Sequence, residues 1–194
     1  YAGSLVPHKG VQTAVDAMAV LARHGDLGGL SLTIVGSGRP DYEAQLRATV
    51  AANGLDEHVT FAGRVPRTAM PAQLAAHDVL IFPSEWPEPL ARMTQEAMAA
   101  GAVVIGTTTG GTGEILVDGE TGLTFPPGDS VALADCVQQL RGNPDLYMRL
   151  ARQARARVEV QFDFRHMLDQ VEAVLDDVLA GRNRVLSPAT VPGR

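Results

Sequence analysis

Apolar residues along this chain alternate between short continuous runs and longer stretches with helical spacing. Val11, Val15, Met18 and Ala22 share one helical face, which predicts an amphipathic helix from Lys9 to about His24. Leu30-Ser31-Leu32-Thr33-Ile34-Val35 reads as a short strand stopped by Gly36-Ser37-Gly38. A helix is expected from Tyr42 to Ala52, closed by Asn53-Gly54 as its cap. Val59-Thr60-Phe61 predicts a strand, and Thr68 to Ala76 a short helix with Pro71 in its first turn, where no amide partner is lost. Val79-Leu80-Ile81-Phe82 predicts a buried strand closed by Pro83. Next come a helix from Thr94 to Ala100 and strands at Val103-Val104-Ile105 and Leu123-Thr124-Phe125. Three helices near Val131–Leu140, Leu146–Val160 and Arg165–Leu179 close the pattern.

Regular alternation of apolar strands with amphipathic helices predicts a parallel sheet covered on both faces. Right-handed crossovers then give an α/β, Rossmann-like doubly wound domain over residues 1–180. The tail 181–194 carries Ser, Gly and Pro without periodicity and is expected to be disordered. In such folds ligands bind beyond the carboxyl ends of the strands, so the loops there are the places to look for chemistry.

Composition narrows the classes. The 194 residues are 45% hydrophobic, 20% charged and 5% aromatic, enough apolar mass for a core. Sixteen basic against 22 acidic side chains leave a net charge of −6, which argues against nucleic acid as a partner. One cysteine, Cys136, excludes an internal disulfide and a Cys-rich zinc module, and it is expected to be a buried, inert thiol. No apolar run reaches the roughly 18 residues of a membrane span. No secretory leader is evident, and the chain opens at Tyr1-Ala2-Gly3-Ser4. The expectation is therefore a cytoplasmic fragment of something longer. Lys9 is the single lysine beside 15 arginines, a bias that fits a GC-rich genome and makes this lysine worth following.

Four loops carry candidate chemistry. Lys9 ends the loop Ser4 to Gly10 at the start of the first helix, where amides and the helix dipole already favour an anion. An exposed lysine without a partner is the competing reading. Gly36-Ser37-Gly38 could admit a phosphate, but it lacks the third glycine of a dinucleotide fingerprint and the Gly-Lys-Ser/Thr of a P-loop, so a tight turn is favoured. The segment Ser84 to Met98 follows a strand and holds Glu88 in the loop and Glu96 about one turn into the next helix. Amides of Leu90, Ala91, Arg92 and Met93 would face a phosphate, and the two carboxylates would accept sugar hydroxyls. Gly110 and Gly111 permit close backbone approach to a ligand. No histidine is spaced for a metal site. Arg149, Arg152, Arg155 and Arg157 crowd one helix, read as a solvated face in preference to an anionic-membrane contact.

Together these loops resemble the C-terminal, donor-binding half of the GT-B glycosyltransferases, in the large retaining family four known as glycosyl transferases group 1. The resemblance rests on Gly3 to Gly10, Val35 to Gly38, Phe61-Ala62-Gly63-Arg64-Val65 and Phe82-Pro83-Ser84. It also rests on Glu88 to Ala100 with Gly101, and on Gly110 through Gly128. It covers roughly the first 140 residues. The pair Glu88 and Glu96, seven residues between them, is its most specific part.

The resemblance implies roles. Lys9 would neutralise the donor diphosphate, Glu96 would accept the ribose hydroxyls, and Glu88 would hold the transferred sugar and stabilise its developing charge. Amides of Leu90 to Met93 and the Gly36, Gly110 and Gly111 loops would meet phosphates and sugar, and Arg64 and Val65 the base. The implied substrate is a UDP-, GDP- or ADP-sugar, with no tightly bound cofactor and no metal. The implied partners are an N-terminal acceptor domain outside this chain and a sugar, lipid or small-molecule acceptor; any contact with the inner membrane face would be peripheral and made by that other half. Hexosyl transfer would retain anomeric configuration, and this chain alone would transfer nothing. Ser4 departs from the pattern, which usually has an arginine there, and Leu90-Ala91 replaces an aromatic-glycine pair; the latter works only if φ of Ala91 is negative. Alternatives are a GT-B-like sugar-nucleotide epimerase half and a non-catalytic nucleotide-binding module with a decayed site. A phosphorylase is disfavoured because it needs a further lysine for pyridoxal phosphate.

Overall fold

In the computed structural model, which describes residues 1–181, every strand pairing is parallel. After a single 3-10 turn at Pro7–Lys9, helix α1 spans Val11–Arg23. The chain then alternates: β1 (Leu32–Val35), α2 (Pro40–Ala52), β2 (Val59–Gly63), α3 (Met70–Ala75), β3 (Val79–Phe82), α4 (Arg92–Ala100), β4 (Val103–Gly106) and β5 (Gly122–Thr124). Helices α5 (Ser130–Arg141), α6 (Pro144–Gln161) and α7 (Phe164–Leu179) follow. Each expected element is present, with no end displaced by more than two residues. The largest consequence is at the start: Lys9 lies in the 3-10 turn and Gly10, at φ 67°, caps α1.

The single expected sheet is built as two ladders. One joins β1 to β2, with Leu32 opposite Val59 and Ile34 opposite Phe61, and residues 1–5 bridge onto its other edge through Ala2 with Val35 and Leu5 with Gly38. The other runs β3-β4-β5, with Leu80 opposite Val104 and Ile105 opposite Leu123. No ladder joins β3 to residues 1–5. That leaves β3 less buried than its apolar run predicts: Leu80 is buried, but Val79, Ile81 and Phe82 are only half-buried. A cavity of about 440 Å³, touched by Tyr1, Leu32, Val79 and Ile81, lies alongside. Its lining runs from Ser31, Asp78 and Ala102, just before β1, β3 and β4, along the strands to Val35 and Ile81.

The core forms where helical and strand periodicities meet. Val11, Val15 and Leu21 of α1 pack with Ile34, Leu46, Leu55, Ile105, Leu133 and Leu150, all at 1% exposure or less. Fully burying such a side chain stabilises by about 1.5–3 kcal/mol. Asp129 caps α5, accepting from the Val131 and Ala132 amides at 3.1 and 2.9 Å.

The described residues divide into two compact units, Tyr1–Glu159 and a second that begins at Val160. In the second unit α7 is amphipathic and is capped by Asp163. Residues 182–194, which include nearly all of the tail expected to be disordered, lie outside the described residues. Among the described residues no helix is long and apolar enough to cross a membrane.

Candidate active site

All the candidate loops leave the carboxyl ends of strands, as parallel α/β geometry requires. The loop after residues 1–5 carries Lys9. It is pressed against the loop after β3, because the Glu85 amide donates to the His8 carbonyl at 2.9 Å. Gly10 makes this possible: a Cβ there would sit 1.9 Å from the Pro83 carbonyl oxygen. The two loops thereby bring Lys9 to Glu88, 79 residues apart in sequence, and the Lys9 ammonium donates to Oε1 of Glu88. The side chains are 27% and 15% exposed, so this pair is largely withdrawn from water. The His8 and Trp86 rings lie 5.6 Å apart beside it.

Glu88 is held by residues to which the sequence motifs assign no role. Ser84, 1% exposed, donates its hydroxyl to Glu88 Oε1 at 3.1 Å. The Ser84 carbonyl accepts from the hydroxyls of Thr107 and Thr109, the latter at 3.0 Å. A usable signal exists in the sequence: Ser84 and Thr107 each follow the apolar run of a parallel strand with one residue between, where side chains reach the binding edge. Gly110 pairs with Glu88 in an isolated parallel bridge, and the Gly111 amide donates to the Glu88 carbonyl at 2.7 Å. Backbone atoms of Glu88 and Pro89 occupy the Cβ positions of these two glycines. The close approach they permit is therefore first to the chain itself. Gly36 is similar, with the Gly3 carbonyl oxygen 1.8 Å from its Cβ position.

Helix α4 begins at Arg92 with no side-chain cap. The Arg92 amide bonds the Leu90 carbonyl at 3.0 Å, and those of Thr94 and Gln95 bond the Ala91 carbonyl. Of the four amides expected to be free, Arg92's is thus engaged, while those of Leu90, Ala91 and Met93 have no such bond among the described residues. Ala91 has φ −78°, so alanine meets no strain where the family pattern has glycine. In the same first turn the Thr94 hydroxyl and the Gln95 amide nitrogen are buried with no partner among the described residues, as is the Thr112 hydroxyl in the loop after β4. Native interiors rarely leave such groups unpaired. Leu90 and Arg92 are exposed, Met93 is half-buried, and Glu96 is half-buried one turn inside α4. Glu96 stands outside the Lys9–Glu88–Ser84 cluster. So do exposed Arg64 and half-buried Val65, which follow β2 on the same edge.

Ser4 is exposed, and its carbonyl accepts from the Tyr1 phenol at 2.8 Å. Burial, followed by the Tyr42 and Glu88 charges, pushes that phenol up, so it stays a neutral donor. Cys136 is only half-buried, with its thiol raised to about 11 by burial first and then by Asp118 and Asp135. Two of the crowded arginines do more than face solvent. Arg149 donates to the Gly119 carbonyl at 2.8 Å and Arg157 to the Glu114 carbonyl at 2.7 Å, which secures loops that have no ladder of their own.

An all-parallel α/β domain whose strand-following loops gather a cation, a carboxylate and an uncapped helix start is a Rossmann-like domain, and its fold matches the C-terminal domains of GT-B glycosyltransferases. The family model for glycosyl transferases group 1 matches residues 1–157, and the chain belongs to that family. It is 33% identical over 179 residues to a phosphatidyl-myo-inositol mannosyltransferase of Mycobacterium leprae, covering 92% of this chain and 46% of that protein. It is 33% identical over 168 residues to a glycogen synthase of Mycobacterium tuberculosis, covering 84% and 38%. Among solved structures, Anabaena HepE in complex with UDP superposes with a TM-score of 0.83 at 27% identity, over 91% of this chain and 47% of that one. The chain thus spans about half the length, or less, of the proteins it matches. The matched region of solved GT-B relatives is their C-terminal half.

Proposed function

We propose that this chain is the donor-binding half of a retaining hexosyltransferase and that its site takes a nucleoside diphosphate sugar. The observation that carries this reading is the convergence of Lys9 and Glu88 beside the uncapped start of α4. A diphosphate brings negative charge that a lysine, three open amides and a helix dipole can meet. Glu88 can accept hydroxyls of the transferred sugar, and Glu96 those of the ribose. Arg64 and Val65 lie on the same edge for the base. HepE, solved with UDP and with UDP-glucose, supports a nucleotide sugar as the ligand class.

The chemistry asked of these residues is positioning and electrostatics. As the glycosidic bond to the diphosphate breaks, positive charge grows on the sugar and negative charge on the leaving group. Glu88 faces the first, and Lys9 with the α4 amides the second, so both are stabilised more in the transition state than in the ground state. No metal is required in this scheme. The acceptor, a sugar, lipid or small molecule, would be held by a second domain, so the chain alone binds donor without transferring it.

Titration calorimetry with UDP, GDP and ADP tests the reading. One of the three is expected to bind, and Lys9→Ala is expected to weaken it about 10- to 100-fold, the equivalent of one charge-assisted hydrogen bond of about 1.5–3 kcal/mol. A folded chain that binds none of the three refutes the donor site.

A further inference from the structure

We propose that Ser84 is a positioning residue for Glu88, selecting which carboxylate oxygen meets the donor sugar; this rests on the donor-site reading above. Ser84 is a buried polar residue whose hydroxyl has one close acceptor, Oε1 of Glu88 at 3.1 Å, and a longer one at the Trp86 carbonyl, 3.4 Å. Its backbone is anchored independently, since the Thr107 and Thr109 hydroxyls after β4 both donate to its carbonyl. A hydroxyl fixed in this way is a reference point for whatever it bonds.

Lys9 bonds the same oxygen. Both partners of the carboxylate are thus on Oε1, and Oε2 has none among the described residues, although the side chain is only 15% exposed. Carboxylate oxygens accept two hydrogen bonds each. The remaining capacity therefore lies mainly at Oε2, and a sugar hydroxyl is the donor it fits. The terminal torsion of a glutamate is broad and roughly two-fold, so a single mobile cation would not distinguish its two oxygens. Lys9 is such a cation, and a diphosphate competes for it. Ser84 is neutral and buried, so it keeps its hold on Oε1 when Lys9 turns to the phosphate.

The experiment compares Ser84→Ala, Glu88→Gln and the double variant in two measurements. In the first, calorimetry gives the ratio of the dissociation constants of UDP and UDP-glucose, or of the GDP or ADP pair if that base is the one bound. Ser84→Ala is expected to shift this ratio threefold or more in the same direction as Glu88→Gln. The double variant is expected to match Glu88→Gln alone, because residues acting through one group are not additive. An unchanged ratio, or effects that multiply independently, overturns the proposal. The second measurement needs no ligand. Lys9 is the single lysine, so lysine labelled with ¹³C and ¹⁵N gives one side-chain Cε–Nζ signal. Ser84→Ala is expected to move it part of the way to its position in Glu88→Gln, and a signal left at the wild-type position overturns the proposal. If wild type binds no nucleotide, the donor-site reading fails, while this signal still decides whether Ser84 holds Glu88. Should Ser84→Ala not fold, Thr109→Val loosens the Ser84 carbonyl and is expected to shift the same signal by a smaller amount; no shift refutes the role.

Discussion

Gly110 is the position where the structure makes its most demanding quantitative claim. It has φ 60° and ψ −138°, a region almost reserved for glycine, and a Cβ there would lie 2.3 Å from the Glu88 carbonyl oxygen and 2.7 Å from its nitrogen. Gly110→Ala therefore incurs two costs. The backbone conformation contributes about 1–3 kcal/mol. Displacing the Glu88 backbone, itself tied by the Gly111 amide, contributes about 1–3 kcal/mol more, the usual cost of overpacking. Gly119 separates the two. It has φ 68° but nothing within 4 Å of its Cβ position, so Gly119→Ala should cost only the left-handed conformation, about 1–2 kcal/mol. Urea denaturation of both variants measures the difference, expected at about 1–3 kcal/mol in favour of Gly119→Ala. Nucleotide-sugar affinity should fall in Gly110→Ala, where Glu88 is displaced, and hold in Gly119→Ala. Equal destabilisation of the two would refute the claim that the loop after β4 is pressed onto Glu88.

Other outcomes follow from single contacts. Asp129→Ala removes the acceptor for the Val131 and Ala132 amides and should lower stability by about 0.5–2 kcal/mol in urea melts. Met98→Ala, at 0% exposure, should cost about 2–5 kcal/mol by the same measurement. Ser4→Arg adds a cation at an exposed site whose side chain holds nothing, so tighter nucleoside diphosphate binding by calorimetry is expected; unchanged affinity would favour a decayed module. The Cys136 thiol rises from 9.0 to about 11 in the folded state, so the unfolded chain loses that proton first. Stability from this group is complete below pH 9 and is lost as pH rises toward 11, which urea midpoints should reveal as a decline that Cys136→Ala reduces.

How much of this was legible beforehand depends on the range of the interaction concerned. Helix α1 and strand β4 are written in local periodicity, because one buried face or one continuous apolar run decides each. Lys9, Glu88 and Glu96 stood out because each follows a strand or opens a helix, and in a parallel α/β fold that alone assigns them to the ligand edge. Periodicity misjudged the burial of β3, because a strand's burial depends on neighbours on both of its edges and on both faces. It also missed the Ser84 cluster, where a serine after β3 and two threonines after β4 are ordinary loop residues until the ladder sets them side by side.

By itself, then, the sequence determined the class of fold, the sheet edge on which the candidate loops gather and the charged residues they carry, because each follows from the order of elements along the chain. Tertiary structure alone decided that Lys9 meets Glu88 rather than open solvent, that Ser84 holds the same oxygen, and that Gly110 and Gly111 receive the backbone of Glu88 and Pro89. The contact of Ser84 lies within one loop, whereas the other contacts join residues 79 and about 22 positions apart. Only the parallel crossovers bring the loops together, and no local pattern records which side chains then touch.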